Sequence, residues 1–184
     1  MIELLPANHH RRERWKNGGG WTREIWREPA EGAFSLRFSI AEVGADGPFS
    51  EFPGCDRELV LLTGQGMQLV FDDGETVALH PPHCRHRFSG ERALQAVLVN
   101  GPTTDFNAIW RRDRYAVTCL HRPVVGSFLF FDEPGVRWFV HVLSGHIRAG
   151  SHGLDPGDSA WIGGEGRAML EGGGEVLLFR VCAS

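Results

Sequence analysis

The sequence predicts an all-β protein with very little helix, built from two copies of one jelly-roll-type β-barrel unit. The 24 glycines and 10 prolines are scattered along the 184 residues and fall between short apolar runs, as in proteins with many turns. The segment 34–41 alternates strictly between apolar and polar residues, which is typical of a strand. The order strand, Ser/Thr-Gly turn, hairpin, Leu-x-Pro turn and closing strand occurs twice, within 61–99 and within 142–180.

The repeat predicts two units, residues 1–120 and residues 121–184, and the first unit is expected to hold a ligand pocket. The first strands of the chain could belong to either unit. The formal net charge of −4 argues against a nucleic-acid-binding protein. The four cysteines form no CxxC pair, which favours free thiols in a reducing compartment. The N-terminus lacks the apolar region of a signal peptide, and no apolar run is long enough for a membrane span. We therefore expect a cytoplasmic protein that binds neither nucleic acid nor membranes.

The N-terminal segment predicts a short edge strand at Ile2–Leu5 and a strand at Thr22–Trp26, separated by a run of three glycines. Glycine permits a positive φ angle or a close approach of the backbone to another group. The run is either a turn or a phosphate-cradling loop, although the P-loop pattern is absent. In a third interpretation, the polar side chains around the run face a pocket, namely Lys16, Asn17, Thr22, Arg23 and Glu24.

The alternating segment 34–41 has one apolar and one polar face. The apolar face carries Phe34, Leu36, Phe38 and Ile40, and the other face carries Ser35, Arg37, Ser39 and Ala41. The polar face either meets solvent or lines a cavity. Arg37 is accordingly either a surface arginine or an anchor for a carboxylate, which a guanidinium binds with two parallel hydrogen bonds.

The rest of the first half predicts further strands. Leu59–Leu62 is apolar on both faces, and Asp72-Asp73-Gly74 predicts a hairpin turn between two strands. Strands are also predicted at Arg85–Phe88, Ala93–Val99 and Tyr115–Leu120. Between the last two, Thr104 is predicted to cap a short helix in which Phe106, Ile109 and Trp110 share a face.

The second half, from Val124 to Ser184, is predicted to be mainly structural. Its apolar segments 128–131 and 138–140 fit the core of the second unit. If such a patch were exposed, it would indicate a homodimer.

The stretch Gly44–Gly66 resembles the first metal-binding motif of the cupin superfamily, G-x5-H-x-H-x4-E-x6-G. Both glycines fit, at Gly44 and Gly64, but Ser50, Phe52 and Arg57 stand where that family has its two histidines and its glutamate. In the second motif only the final histidine survives, as His86, and the second repeat keeps no ligand set either. We therefore expect neither a metal ion nor any other cofactor.

Nearly the whole chain also resembles the HutD/Ves family of small bicupins. The segments that carry the resemblance are WKNGGGWTREI (15–25), RFSIA (37–41), GPFSEFPGCDR (47–57), GPTTDFN (101–107) and the pair Arg111-Arg112. The resemblance implies a bicupin, two cupin-type jelly-roll barrels packed together, that is associated with bacterial histidine utilisation and limits or tunes that pathway. It implies no established reaction.

The first functional hypothesis is metal-free binding of a small acidic metabolite. Arg57 would replace the metal as a fixed cation, Phe49 and Phe52 would form apolar walls, and hydrogen bonds would come from Ser39, Ser50 and Asn107. Given the family, urocanate, formiminoglutamate and N-formylglutamate are the candidate ligands. The simpler alternative is that Arg57 forms an ion pair with an adjacent acid, Asp56 or Glu58.

The second hypothesis is a metal-independent enzyme acting on an intermediate such as N-formylglutamate or formiminoglutamate. His86 would act as general acid or base, with Glu24 or Asp105 as substitutes, and Arg57 or Arg37 would stabilise the developing negative charge. The simpler alternative for His86 is an ordinary half-exposed histidine. A third hypothesis is a metal site elsewhere, built from His80, His83 and His86, because nickel and zinc accept imidazole readily.

Overall fold

The computed structural model describes residues 2–131, 133–163 and 167–184. Within these ranges the only helical element is a single 3-10 turn at Ala7–His9, so the predicted all-β fold class is confirmed. The strands, in chain order, are β1 (Ile2–Leu5), β2 (Arg11–Arg14), β3 (Gly20–Glu28), β4 (Leu36–Val43), β5 (Gly47–Pro48), β6 (Cys55–Thr63), β7 (Met67–Phe71), β8 (Thr76–Leu79), β9 (Arg85–Ser89), β10 (Leu94–Leu98), β11 (Thr103–Arg111), β12 (Tyr115–Phe131), β13 (Val136–Ala149), β14 (His152–Leu154), β15 (Ser159–Ile162) and β16 (Arg167–Ala183). No helix in the described residues has the length and apolar character needed to cross a bilayer.

The chain divides into two compact units, Arg11–Arg114 and Met1–His10 with Tyr115–Ser184. The unit Arg11–Arg114 contains a six-stranded sheet in the order β2-β3-β4-β11-β6-β9 and a four-stranded sheet in the order β5-β10-β7-β8. Neighbouring strands are antiparallel throughout. Apolar side chains from both sheets form one buried cluster, which includes Leu59, Leu61, Met67, Leu69 and Leu94. This core fills part of the barrel and leaves the remainder for polar residues.

Strand β4 shows why the barrel has a polar interior region. Its apolar face is buried, with Leu36 and Phe38 at 0% exposure, as the alternation predicts. Its opposite face turns Arg37, Ser39 and Ala41 toward a cavity rather than toward bulk solvent. Of the two interpretations of the polar face, the structure shows the cavity-lining one.

Strand β11 corrects the prediction of a short helix capped by Thr104. Residues Thr103–Arg111 instead form a nine-residue strand between β4 and β6. Phe106 and Trp110 lie on one buried face of this strand, so both faces are covered and the apolar run has no simple alternation. A short apolar run with buried residues on both sides is compatible with helix and strand alike, and here the pairing with two neighbouring strands decides the outcome.

The other unit has one sheet, in the order β1-β15-β13-β16-β12, with β14 paired to β13. Its buried cluster includes Val140, Val142, Leu170, Val176 and Leu178. The prediction that segment 128–131 belongs to this core is wrong for three of its four residues, because only Phe130 is buried. At the edge, β12 also carries large apolar side chains that are exposed, namely Val125, Phe128, Leu129 and Phe131.

Candidate functional site

A cavity of about 560 Å³ lies within the unit Arg11–Arg114. Strands β4, β6 and β11 form one wall, and segments 13–17 and 48–52 complete the lining. Ten of the predicted site residues line the cavity, namely Lys16, Asn17, Thr22, Arg37, Ser39, Phe49, Ser50, Phe52, Arg57 and Asn107. Four others do not, namely Arg23, Glu24, Asp105 and His86. The three residues at the spacing of the metal-ligand motif are therefore brought together, although β6 and the segment before it present no imidazole there.

Arg57 is the innermost cation of the cavity, and its side chain is only 6% exposed. Its Nε and Nη2 atoms both donate to Oδ1 of Asn107, at 2.8 and 2.5 Å. Its remaining terminal nitrogen, Nη1, has no hydrogen-bond partner among the described residues. Burial lowers the pKa of Arg57 to about 10, so the guanidinium stays protonated at neutral pH.

The acids next to Arg57 in the sequence do not neutralise it. Asp56 pairs instead with Arg87 and Arg112, at 2.9 and 3.2 Å, and Glu58 pairs with Arg85 at 3.5 Å. Side chains alternate along a strand, so these two acids lie on the opposite face of β6. The simpler alternative for Arg57, an ion pair with a neighbouring acid, is therefore not what the structure shows.

Two aromatic rings flank the guanidinium of Arg57 and make cation–π contacts with it. The Cζ atom of Arg57 lies 4.8 Å from the ring centre of Phe49 and 5.5 Å from that of Phe88. Such cation–π contacts stabilise a desolvated cation by about 2 kcal/mol. They leave the hydrogen-bonding edge of the guanidinium available.

Asp105, Asn107 and Arg57 form a chain of side-chain hydrogen bonds, which we call the relay. Asp105 and Asn107 lie on the same face of β11, two positions apart, and Nδ2 of Asn107 donates to Oδ1 of Asp105 at 2.5 Å. Asp105 is 0% exposed, does not line the cavity, and its Oδ2 has no hydrogen-bond partner. Burial raises the pKa of Asp105 to about 6, although the nearby Arg57 charge and the Asn107 hydrogen bond act to lower it.

Arg37, the second arginine of the cavity, already has an acidic partner. Its Nε donates to Oε2 of Glu24 on β3 at 2.8 Å, and both side chains are about one fifth exposed. Glu24 itself does not line the cavity, contrary to the prediction. Arg37 and Arg57 thus differ: the first forms a direct ion pair with an acid, and the second does not.

The glycine run positions Trp15 at the mouth of the cavity. Gly18 has φ of +75°, and a Cβ on Gly20 would lie 2.4 Å from the backbone oxygen of Glu42 and 3.1 Å from the Trp15 ring. The run is therefore a tight turn that only glycine permits. Trp15 packs edge-on against Phe49, with 6.1 Å between ring centres, and its Nε1 donates to Thr22 at 2.8 Å.

Comparison with known proteins identifies the family. The HutD family model matches residues 7–178. The chain belongs to the HutD family. Protein Ves from Cronobacter sakazakii is 33% identical over 185 aligned residues, which cover 98% of this chain and 96% of that protein. The structure of HutD from Pseudomonas fluorescens SBW25 matches with a TM-score of 0.87 and 28% identity over the whole of both chains.

A third relative is described by its position next to the hutC gene. It is an uncharacterised 21.2 kDa protein in the 3′ region of hutC in Pseudomonas putida, 40% identical over 117 residues. The match covers 62% of this chain and spans 61% of that protein. The predicted HutD/Ves membership and the two-unit cupin-type fold are confirmed.

His86 lies away from the cavity that it was predicted to line. It stacks on Phe88, with 5.7 Å between ring centres and 16° between planes, and lies edge-on to Phe71 at 5.9 Å. Its ring is partly buried and packs against Phe71 and Phe88 of the apolar cluster, as the simpler alternative of an ordinary half-exposed histidine predicts. Burial lowers the pKa of His86, and its Nε2 has no hydrogen-bond partner.

The predicted metal ligands His80, His83 and His86 do not converge either. Within the described residues, these three histidines do not bring three ligand atoms close enough to share one ion.

Six lining residues were not among the predicted site residues, namely Glu13, Arg14, Trp15, Ala41, Pro48 and Ile109. Ile109 and Ala41 are two residues along the chain from the predicted Asn107 and Ser39, on the same strand faces. Strand periodicity alone is therefore sufficient to find them. No strand periodicity identifies Glu13 and Arg14, which are exposed residues at the mouth of the cavity.

Proposed function

We propose that this protein binds a small organic carboxylate in the cavity of the unit Arg11–Arg114, with Arg57 as the anchor. The observation that carries the proposal is a buried guanidinium with no carboxylate within ion-pair distance among the described residues and with one nitrogen, Nη1, free. A buried charge that lacks a partner is costly. A ligand carboxylate would supply the missing partner with charge-assisted hydrogen bonds.

The remainder of the cavity supports a small, partly polar ligand. Its volume of about 560 Å³ is within the range of small-molecule sites. Phe49 and Phe52 provide apolar walls, while Ser39 and Ser50 offer hydroxyl groups. Lys16 at the mouth adds a second cation, which favours a ligand with a second anionic or polar group.

The ligand class follows from the family. Relatives include HutD of P. fluorescens and the protein in the hutC 3′ region of P. putida. We therefore propose urocanate, formiminoglutamate or N-formylglutamate as the ligand class, and tuning of bacterial histidine utilisation as the role. In this proposal the protein is a metal-free binding protein or regulator rather than an enzyme, since His86, the candidate general acid or base, lies outside the cavity lining.

The test is ligand-dependent thermal stabilisation at pH 7. A ligand that binds only the native state raises the melting temperature, by an amount that grows with ligand concentration. Urocanate, formiminoglutamate and N-formylglutamate are compared with an uncharged amide analogue of N-formylglutamate, which should have no effect. If none of the carboxylates stabilises the protein at millimolar concentration, the proposal fails.

Matched arginine variants locate the site. Arg57→Ala should weaken binding at least tenfold, because one charge-assisted contact is worth about 1.5–3 kcal/mol. Arg111→Ala removes an exposed arginine that pairs with Asp113, and it should bind as the parent does. Equal affinity of Arg57→Ala and the parent would place the ligand elsewhere. NMR of the incubated mixture separates binding, which returns the ligand unchanged, from turnover.

A further inference from the structure

Two buried ionisable groups that do not touch lie at this site: Arg57 in the cavity lining and Asp105 behind it. Arg57 and Asp105 lie at the two ends of a relay whose centre is Asn107. The Asn107 amide faces both: its oxygen accepts from the guanidinium and its nitrogen donates to the carboxyl group. Both ends are desolvated, at 6% and 0% exposure.

The hydrogen bonds to Asp105 determine the orientation of Asn107. A carboxyl oxygen accepts only from the Nδ2 side of the amide, so Oδ1 must point the other way, toward Arg57. Without this acceptor the amide could rotate by 180° and present N–H groups to the guanidinium. Asp105 itself does not line the cavity, so it acts on a ligand only through its two neighbours.

The other charged groups around Asp105 are few or already compensated. On β6 the cavity-facing charge near Asp105 is Arg57, which acts on it electrostatically. On β4 the cavity-facing charge is Arg37, which lies opposite Ile109 rather than Asp105 and is paired with Glu24 of β3. On β9 the inward-facing titratable group is His86, which packs on Phe71 and Phe88. The other neighbours on its own row of the sheet are apolar, Ala41 and Leu61. Arg57 is therefore the dominant electrostatic partner of Asp105.

We infer that Asp105 is a positioning residue that sets the anion affinity of the pocket: it holds Asn107 so that the guanidinium of Arg57 is fixed, and its own ionisation weakens carboxylate binding. This inference rests on the proposed function, since it concerns the same pocket. Ionised Asp105 compensates the Arg57 charge and repels an incoming carboxylate. Protonated Asp105 leaves the Arg57 charge available to the ligand while still accepting the Asn107 hydrogen bond on its carbonyl oxygen.

The consequence is a proton taken up when the ligand binds. A carboxylate placed on Arg57 stabilises the neutral form of Asp105, so binding and protonation favour each other. Burial already raises the pKa of Asp105 to about 6 in the free protein. Affinity should therefore increase as the pH falls from 8 toward 5.5, and the pocket would bind its metabolite more tightly in a more acidic cell.

The experiment measures N-formylglutamate binding by calorimetry at pH 5.5, 6.5, 7.25 and 8 in buffers of different ionisation enthalpy. This probe suits the question because free carboxylates titrate near pH 4, below the range tested. The parent should bind on the order of tenfold more tightly at pH 5.5 than at pH 8, as expected for two like charges at an effective dielectric constant of about 20. It should also take up a proton on binding.

Two variants distinguish Asp105 from the rest of the pocket. Asp105→Asn keeps an acceptor for Asn107 and has no charge, so it should lose the pH dependence and retain tight binding at pH 8. Glu24→Gln neutralises a nearby acid that pairs with Arg37 but does not line the cavity, and it should leave the pH dependence in place. Asp105→Ala, which removes the acceptor as well, should bind weakly at every pH.

The outcomes separate the two proposals. The role of Asp105 is overturned if the parent binds with an affinity that does not change with pH, or if Asp105→Asn keeps the pH dependence of the parent. Either outcome leaves the carboxylate site intact. Failure of the folded parent to bind any of the three carboxylates at any pH overturns the proposed function itself. Loss of the pH dependence in Asp105→Asn together with its persistence in Glu24→Gln supports the inference.

Discussion

Replacement of Asp105 by Asn should change how the stability of the ligand-free protein depends on pH. The pKa of Asp105 is raised from 3.8 to about 6 by burial, so the folded state holds this proton more tightly than the unfolded state does. Stability from the protonated group is fully present below pH 4 and is lost as the pH rises through 6. The asparagine variant has no proton to lose at this position.

The magnitude follows from the size of the shift. A change of about 2 pKa units corresponds to about 3 kcal/mol of unfolding free energy, most of it lost between pH 4 and pH 8. The asparagine side chain adds N–H donors to a buried position, which shifts the stability of the variant by a constant amount. The informative quantity is therefore the change with pH in the stability difference between parent and variant, not its value at one pH.

Urea unfolding followed by circular dichroism at half-unit steps from pH 4 to pH 8 measures this difference. Relative to the parent, Asp105→Asn should gain about 3 kcal/mol across the range. Asp72→Asn, at an exposed position of the β7–β8 hairpin turn, is the matched control and should show no such gain. If the stability difference between Asp105→Asn and the parent stays constant with pH, the folded state does not hold the Asp105 proton more tightly than the unfolded state does.

Three further variants test the arrangement around the pocket. Arg57→Met removes the cation that lowers the pKa of Asp105, so the pH at which stability falls should move upward from about 6 in the same urea series; an unchanged midpoint would contradict the coupling. His86→Phe should increase stability relative to the parent progressively as the pH falls below 6.5, because burial lowers the pKa of His86 and the folded state resists its protonation. If the histidine instead stabilises the acidic state, the sign will be reversed. The exposed apolar side chains of β12 predict a homodimer, so Leu129→Asp should halve the mass measured by sedimentation equilibrium; an unaltered mass would exclude this surface as the interface.

The position of the pocket could be predicted from sequence because two periodic signals coincide. Alternation along 34–41 places Arg37 and Ser39 on one strand face, and the motif spacing places Ser50, Phe52 and Arg57 at the positions where cupins hold a metal. Both signals depend only on local backbone geometry, and the fold preserves them. His86 was misplaced because its spacing does not reveal that Phe71 and Phe88 occupy the space around its ring.

The Asp105–Asn107 relay could not be predicted because of the helix assigned to the same residues. In a helix, residues two apart point about 200° away from each other, so Asp105 and Asn107 would lie on opposite sides. In a strand they share a face. The apolar spacing of Phe106, Ile109 and Trp110 fits the helical period, and it is equally acceptable in a strand whose two faces are both buried. Recognising the polar face of β11 requires knowing that β4 and β6 flank it, and this long-range pairing is not encoded in the spacing of a nine-residue segment.

The buried arginine also explains why an acid is retained in a position where it lowers stability. A metal ion in a cupin brings a positive charge that exists only when the ion is bound, whereas Arg57 remains charged in the empty pocket. Asp105, connected through Asn107, partly compensates this charge while the pocket is empty and can be neutralised by a proton when a carboxylate arrives. An apolar residue at position 105 would leave Arg57 uncompensated and Asn107 unoriented. Both buried charged groups therefore serve one purpose. They keep the Arg57 cation fixed in place while leaving it able to bind an anionic ligand.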